Sequence, residues 1–209
     1  MSMKLPKIYP ITDRTLSGLS HAEQVARLID GGATLIQLRD KESAPKDFLR
    51  DALAAKRIAD LNNVRLIIND RVDIAMAIDA AGVHLGQSDL PVKIARRLLN
   101  KGSVVGFSTH NLEQAGKAVE ALVDYVAFGP IFSTKTKLDR DPTVGPDLLS
   151  SASRVLGNVP LVAIGGITAE NCRSVLAAGA DSVAVISAAV GDGAIITQNM
   201  RRLLNLTSQ

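Results

Sequence analysis

Residues 161–167 read LVAIGGI, an apolar run of four residues that ends in two adjacent glycines. Residues 65–70, RLIIND, show a similar arrangement, with an apolar run that ends in an amide and a carboxylate. An apolar run without alternation is typical of a parallel strand that is covered on both faces. Both segments therefore indicate buried parallel strands with polar or flexible residues at their C-terminal ends.

Eight such runs recur along the chain, at residues 8–12, 35–39, 65–69, 82–85, 104–108, 125–129, 161–164 and 182–187. Segments with helical periodicity separate them; in the first, Ala22, Val25 and Ile29 share one face. Consecutive βα units predict an α/β fold, a single (β/α)8 TIM barrel that forms one domain over residues 1–209. An open doubly wound sheet remains the alternative, although no GxGxxG turn follows the first strand.

The composition excludes several classes of protein. The chain has 209 residues and a net charge of 24 − 21 = +3. Phe 4, Tyr 2 and Trp 0 are too few for base-stacking platforms, so no nucleic-acid partner is expected. Cys172 is the single cysteine, which excludes an internal disulfide and a multi-cysteine zinc site. No apolar run approaches the roughly 18 residues of a membrane span, and the N-terminus lacks a signal-peptide core. We therefore expect a cytoplasmic protein with no membrane partner.

Polar residues follow most of the predicted strands. In this fold the chemistry lies at the C-terminal strand ends, so these residues should meet at one mouth of the barrel. They are Gln37, Arg39, Asp40, Lys41, Asn69, Asp70, Asp89, Ser108 and His110, followed by Thr134, Lys135, Thr136 and Lys137 in the loop of residues 130–146. The mixture of cations, carboxylates and hydroxyls predicts an anion site with a divalent metal.

Asp70 and Asp89 end consecutive predicted strands, so their carboxylates are expected to converge. Two carboxylates repel each other unless a cation lies between them, and oxygen ligands completed by phosphate and water suit Mg²⁺. Asp70 could instead cap the helix that begins near Val72, and Asp89 could be a turn residue ahead of Pro91.

Two further groups of residues fit anions. Gly165-Gly166 and Ser187 follow the seventh and eighth predicted strands, where barrels of this kind often bind a phosphate. Arg39 and Lys41 follow the second strand, and together with Lys137 they could hold a more highly charged anion.

The histidines and the cysteine have simpler interpretations. We expect His84 to be a hydrogen-bonded core residue, His21 to lie at the surface and Cys172 to be a buried apolar side chain. His110 on the rim could act as an acid or base, or support its neighbours by hydrogen bonding.

Six blocks of sequence, in order along the chain, resemble thiamine-phosphate synthase. They are residues 37–41 (QLRDK), 67–73 (IINDRVD), 82–89 (GVHLGQSD), 108–110 (STH), 129–137 (GPIFSTKTK) and 163–167 (AIGGI). The resemblance implies that 4-amino-2-methyl-5-pyrimidinylmethyl diphosphate and a thiazole phosphate condense to thiamine phosphate, with pyrophosphate released by a dissociative, Mg²⁺-assisted mechanism. It is also compatible with a homo-oligomer. Ser133 stands where a proline is more usual, which leaves the conformation of this loop in question.

The resemblance also assigns residues to ligands. The pyrimidine diphosphate would be held by Gln37, Leu38, Arg39, Asp40, Lys41, Asn69, Ser108 and Lys137, of which Arg39, Lys41, Ser108 and Lys137 would be catalytic. Asp70 and Asp89 would bind Mg²⁺. The thiazole phosphate would be held by Thr134, Lys135, Thr136, Gly166, Ile186 and Ser187.

Three other functions could use a barrel of this kind. A thiazole tautomerase on the same barrel has no use for two metal carboxylates together with diphosphate cations. A phosphosugar isomerase or epimerase needs a carboxylate base opposite an electrophile, and no clear pair is visible. A non-catalytic phosphate-binding regulator would release no pyrophosphate when it is given both substrates.

Overall fold

The fold is a ring of eight parallel strands surrounded by helices, in a computed structural model that describes residues 4–134 and 142–207. The strands are Ile8–Pro10 (β1), Leu35–Leu38 (β2), Arg65–Asn69 (β3), Gly82–Leu85 (β4), Val104–Thr109 (β5), Tyr125–Phe128 (β6), Leu161–Ile164 (β7) and Ser182–Val185 (β8). The helices are Arg14–Ser17 (α1), His21–Asp30 (α2), Pro45–Leu61 (α3), Val72–Ala77 (α4), Val92–Leu98 (α5), Leu112–Glu120 (α6), Gly145–Leu156 (α7), Cys172–Ala177 (α8), Ser187–Val190 (α9) and Ile196–Thr207 (α10), with a 3-10 turn at Gly193–Ile195.

The sheet closes on itself. Neighbouring strands pair in chain order from β2 to β8, and β1 pairs with β8, with Tyr9 opposite Ala184. Between β1 and β2 there is a bridge from Ile11 to Gln37, and the Thr12 N–H donates to the Gln37 carbonyl over 2.9 Å. The predicted TIM barrel is confirmed, and the doubly wound alternative is wrong because that sheet would have two open edges.

The pleat of each strand separates two layers of side chains, since successive residues point to opposite faces. The barrel interior is filled by Tyr9, Ile11, Leu35, Ile67, Tyr125, Ala127, Val162 and Ala184. The alternate residues, such as Ile36 and Leu38 of β2, pack in the layer between the barrel and the helices. The same alternation puts Gln37 in the interior and Leu38 outside it.

The helix termini follow local sequence signals. Ser20 and Glu23 form a capping box that starts α2, and Gly31 ends it. Asn111 caps α6 by accepting from the Gln114 N–H over 2.9 Å. At the far end of the chain, Thr197 of α10 donates through its hydroxyl to the carbonyl of Arg27 over 2.9 Å, so the last long helix packs on α2.

Other expectations can be compared with the structure directly. Cys172 is fully buried, as predicted. The strand expected at residues 182–187 ends at Val185, and Ser187 begins the short helix α9 instead. Within residues 4–134 and 142–207, no helix combines the length and the apolar character needed to cross a lipid bilayer.

Gly106 of β5 tests the packing of the barrel interior. A Cβ atom at this position would lie 2.1 Å from Cζ of Tyr125, so Gly106→Ala should lower the free energy of unfolding by about 1–3 kcal/mol. Gly116 in α6 is the matched control, because its added Cβ would be 3.8 Å from Val155 and alanine favours a helix. Urea denaturation of both variants provides the measurement; equal stabilities would contradict the tight contact.

Candidate active site at the barrel mouth

The strand ends bring most of the predicted site residues to one mouth of the barrel. Lys41, Asp70 and Asp89 lie on one side, after β2, β3 and β4. Gly165 and Gly166 follow β7 on the other side of the ring. Lys135, Thr136 and Lys137 fall outside the residues that the structure describes, so their predicted roles remain predictions.

Lys41, Asp70 and Asp89 form one charged cluster at the mouth. The Lys41 ammonium contacts Oδ2 of Asp70, and Asp89 lies close enough to interact with the same carboxylate. Burial raises the pKa of Asp70, and the neighbouring charge of Asp89 raises it further, whereas Lys41 acts in the opposite direction. Bringing two acidic groups together in a half-buried place is unfavourable unless positive charge accompanies them.

The two carboxylates fit a magnesium ion. Oδ2 of Asp89 accepts a 2.6 Å hydrogen bond from the Gly86 N–H, so the turn role weighed for Asp89 is part of what it does. Asp70 does not cap α4, which has Arg71 in the cap position and no side-chain cap bond. Across the described ranges, no group of three or more His, Cys, Asp or Glu side chains is gathered for a metal. Two carboxylates would leave most of the coordination positions of the ion to water and phosphate oxygens, which is how Mg²⁺ is usually bound.

Arg39 is held at the mouth by two residues of the loop after β1. Its guanidinium Nη1 lies 3.6 Å from Oδ2 of Asp13, and its backbone N–H donates to Oγ1 of Thr12 over 3.3 Å. Oγ1 of Thr12 in turn lies 2.7 Å from Nδ1 of His21. The segment that carries Arg39 and Lys41 is therefore held against the loop after β1.

Asp40 shapes this segment from within. Its carboxylate accepts from the backbone N–H groups of Glu42 and Ser43, over 3.0 and 2.8 Å, and lies 3.2 Å from Nε2 of His21. Burial alone would raise the pKa of Asp40, but the bonds from Ser43, Glu42 and His21 outweigh it and hold the pKa well below its usual range. The expectation that His21 lies at the surface is wrong: its side chain is fully buried because it links Thr12 to Asp40.

The neutral residues assigned to the pyrimidine lie in different layers. Gln37, Asn69 and Ser108 occupy interior-facing positions near the mouth, and Ser108 Oγ lies 2.8 Å from Nε2 of His84. Gln37 and Asn69 are buried. Leu38 points its side chain into the outer layer, so it could contact a ligand at the mouth only through its backbone.

A narrow cleft lies between the ends of β6, β7 and β8. Its walls are Gly129, Pro130, Thr134, Ile164, Gly165, Gly166, Ile167, Ala184, Ile186 and Ser187. Gly166 has a φ of +64°, and an added Cβ would lie 2.7 Å from the carbonyl oxygen of Ser133. Glycine is required here, because the chain turns tightly and the loop after β6 comes close to its backbone.

His110 supports the wall of this cleft. Its Nδ1 donates to the carbonyl of Gly129 over 2.6 Å, and its backbone N–H donates to Oε1 of Gln114 over 2.7 Å. Of the two roles considered for His110, these contacts favour hydrogen-bonding support of the β6 loop.

Sequence reasoning missed the tyrosines in the barrel interior. Tyr9 and Tyr125 are the two tyrosines of the chain, and both hydroxyls lie beneath the mouth, 3.1 Å apart. The sequence does place both tyrosines within predicted strands, where a hydroxyl among apolar side chains indicates a buried hydrogen-bond partner. Tyr125 on β6 reaches Tyr9 on β1 and His84 on β4, neither of which is a neighbouring strand, and only the closed ring brings these strands together.

A model of the family described as thiamine monophosphate synthase matches residues 8–189. The chain belongs to this family. It is 48% identical over 183 residues to a thiamine-phosphate synthase of Clostridium novyi, an alignment that covers 87% of this chain and 89% of the relative. It is 44% identical over 201 residues to a thiamine-phosphate synthase of Methanocella arvoryzae, with 95% and 94% covered.

A solved structure of the thiamine monophosphate synthase family is similar along the whole barrel. The thiamine phosphate pyrophosphorylase of Pyrococcus furiosus superposes with a TM-score of 0.84 at 33% identity, covering 97% of each chain. The resemblance stated from the six sequence blocks is therefore confirmed.

Asp40 provides a test of how the loop after β2 is held. Asp40→Asn should lower the free energy of unfolding by about 1–2 kcal/mol at pH 7, because charge-assisted hydrogen bonds are weakened. Because the pKa of Asp40 is lower in the folded than in the unfolded chain, its carboxylate stabilises the fold above the unfolded pKa of about 4. This stabilisation is lost as the pH falls further, so the difference in unfolding free energy between the wild type and Asp40→Asn should shrink in acid.

Urea denaturation at pH 7 and at successively lower pH measures this effect. Asp60→Asn is the matched control, because that carboxylate is 58% exposed and pairs with Lys56 in its own helix, an interaction worth about 0.5 kcal/mol. A deficit for Asp40→Asn that stays constant down to strong acid would contradict the assignment.

Proposed function

We propose that this chain is a thiamine-phosphate synthase. It would join 4-amino-2-methyl-5-pyrimidinylmethyl diphosphate to a thiazole phosphate, either the carboxylated form or 4-methyl-5-(2-phosphoethyl)thiazole, and release pyrophosphate. The observation that carries the proposal is the grouping of Lys41, Asp70 and Asp89 on one side of the mouth, with the Gly166 cleft on the other. One side suits a diphosphate with its metal and the other a single phosphate.

The diphosphate would lie against the loop after β2. Arg39 offers a bidentate guanidinium and Lys41 a mobile ammonium, and Lys137 is proposed as a third cation. Gln37, Asn69 and Ser108 would contact the heterocycle or the diphosphate from the interior. The carboxylate of Asp40 is occupied by His21 and two backbone N–H groups, so its proposed part in binding is to hold the loop in shape.

Asp70 and Asp89 are the residues that would hold Mg²⁺. When bound, Mg²⁺ supplies positive charge to the diphosphate oxygens. The Lys41 ammonium contacts Asp70, and it would be available to the diphosphate when the metal occupies the carboxylates.

The thiazole phosphate would occupy the cleft beyond β6, β7 and β8. Thr134 belongs to one wall, and Gly166, Ile186 and Ser187 belong to the others. Lys135 and Thr136 lie outside the described residues, and we propose that they contact the phosphate as well. Backbone N–H groups at a glycine turn can approach a phosphate closely, and hydroxyls can complete its hydrogen bonds. The two ligands would then meet across the mouth.

The reaction begins when the bond between the methylene carbon and the diphosphate oxygen breaks, and both electrons leave with the oxygen. Arg39 and Lys41 stabilise the negative charge that develops on the departing diphosphate. The aminopyrimidine ring disperses the positive charge on the methylene carbon, and the thiazole nitrogen donates its lone pair to form the new carbon–nitrogen bond. No nucleophilic side chain takes part, and proximity of the two bound ligands supplies much of the rate.

The remaining parts of the proposal concern organisation and location. We propose one catalytic domain over residues 1–209, a cytoplasmic location and small molecules as its partners, with no nucleic acid or membrane involved. A homo-oligomer is compatible with this assignment.

The central experiment measures pyrophosphate release with both substrates, with and without Mg²⁺. Asp70→Asn should reduce turnover by about 10²–10³-fold, since charge that stabilises the leaving group is lost. Asparagine tolerates the left-handed backbone at this position, where φ is +60°, so the fold should be kept. Asp89→Asn should behave in the same way.

Asp73→Asn is the matched control, because the Asp73 carboxylate is 64% exposed and pairs with Arg71 rather than with Lys41. Its activity should equal that of the wild type. Near-normal turnover in Asp70→Asn, or full activity in a chelator, would contradict the metal assignment. Absence of pyrophosphate release from the wild type would contradict the proposed function.

Gly166 tests the thiazole-phosphate side. Gly166→Ala should raise KM for the thiazole phosphate by about ten- to hundredfold, because the added Cβ displaces the loop after β6. Gly157→Ala is the control: its φ of +57° is also positive and so disfavours alanine, but nothing lies within 4 Å of the added atom. Steady-state kinetics with each substrate varied in turn would decide, and an equal effect on both substrates would oppose the assignment.

A further inference from the structure

A row of hydrogen bonds crosses the barrel interior directly below the mouth. Nε2 of Gln37 donates to the Tyr9 hydroxyl over 3.1 Å, and that hydroxyl lies 3.1 Å from the hydroxyl of Tyr125. The Tyr125 hydroxyl lies 3.0 Å from Nδ1 of His84, and Nε2 of His84 lies 2.8 Å from Oγ of Ser108. The two ends of the row, Gln37 and Ser108, are residues assigned above to the pyrimidine diphosphate.

The middle of the row is sealed from solvent. Tyr9 is 1% exposed, Tyr125 is fully buried and His84 is 6% exposed. The ring of Tyr125 meets Tyr9 edge to face, with centroids 6.0 Å apart, and stacks on His84 with centroids 5.5 Å apart. Gly106 leaves the space that the Tyr125 ring occupies. The three side chains are thus fixed by packing as well as by hydrogen bonds.

The direction of the row follows from the number of protons. Because Gln37 donates to Tyr9, the Tyr9 hydroxyl can use its own proton toward Tyr125. Tyr125 then donates to Nδ1 of His84, and Nε2 of His84 carries a proton that it donates to Ser108. With the opposite order between the tyrosines, the Tyr9 proton would have no acceptor in the row.

This order determines what the two end residues offer to a ligand. Gln37, which donates downward through Nε2, keeps its amide oxygen Oε1 as an acceptor. Ser108, which accepts from His84, keeps its hydroxyl proton as a donor. Burial raises the pKa of both tyrosines above its ordinary value, so neither hydroxyl loses its proton in the working range of pH.

We propose that Tyr9, Tyr125 and His84 are positioning residues that fix Gln37 as an acceptor and Ser108 as a donor. The site would thereby select a heterocycle that has an amino N–H group for one and a ring-nitrogen lone pair for the other. The inference rests on the proposed function and narrows it, since it assigns Gln37 and Ser108 to the aminopyrimidine rather than to the diphosphate. A 4-oxo analogue, with a carbonyl in place of the amino group, presents the reverse pattern.

The test compares binding of 4-amino-2-methyl-5-pyrimidinylmethyl diphosphate, its 4-oxo counterpart and inorganic pyrophosphate, measured by calorimetry without thiazole phosphate. The wild type should prefer the amino compound by at least about a hundredfold. Tyr125→Phe and Tyr9→Phe keep the rings but interrupt the row, and each should reduce this preference about tenfold. Pyrophosphate, which does not reach the row, should bind all forms equally.

Thr109→Val is the matched control. Thr109 is a buried neighbour of Ser108 on the opposite face of β5, and its hydroxyl donates to the Ala127 carbonyl over 3.1 Å. The variant loses one buried hydrogen bond outside the row. It should therefore lose stability, as the tyrosine variants do, while its preference for the amino compound stays at the wild-type value.

Coupling along the row gives a second measurement. Tyr9 and Ser108 are separated in the row by Tyr125 and His84, so independent residues would give additive effects on the preference. If the row acts as a unit, the preference of the Tyr9→Phe/Ser108→Ala double variant for the amino compound should be less than threefold below that of Ser108→Ala alone. This result would not follow from a purely structural role.

The outcomes separate the two proposals. A wild type that prefers the amino compound, together with tyrosine variants that keep the full preference, would overturn the inference and leave the proposed function intact. Additive effects of Tyr9→Phe and Ser108→Ala would also overturn it. A wild type that binds pyrophosphate but neither pyrimidine would overturn both.

Discussion

Closure of the parallel sheet is the constraint on which the site depends. Because all eight strands run in one direction and the ring is complete, their C-terminal ends open at a single mouth. The contacts between Ile11, Thr12 and Gln37 join the first two strands and complete the ring. Lys41, Asp70 and Asp89 meet because three successive strands end side by side, although 48 positions separate Lys41 from Asp89 in the chain (89 − 41 = 48).

Successive residues of each strand point to opposite faces of the sheet, so one strand contributes both to the site and to the outer core. In β2, Ile36 and Leu38 stabilise the layer under the helices, while Gln37 between them belongs to the interior. The same division puts Ser108 on the inner face of β5 and Thr109 on its outer face. Binding groups and core groups can thus alternate in sequence without competing for space.

The sequence alone predicts the features that depend on local order. Apolar runs and helical periodicity predict the eight βα units, and strand order predicts that Asp70 and Asp89 come together. The outward direction of Leu38 could also have been read from the alternation of β2, since Gln37 and Leu38 cannot share a face. Burial of His21 was not predictable in this way, because its partners Thr12 and Asp40 are in separate loops. The row from Gln37 to Ser108 involves five strands, and its geometry exists only after ring closure.

The pairing of the first strand with the last has a consequence for synthesis in the cell. A chain still emerging from the ribosome holds β1 without β8, and α2 without the contact that Thr197 makes to Arg27. Until β8 has been translated, the nascent sheet has two unpaired edges, a state that invites association with other chains. The mouth itself is therefore completed only when β8 is available, so a chain truncated before β8 would lack both a closed ring and an ordered place to bind its ligands.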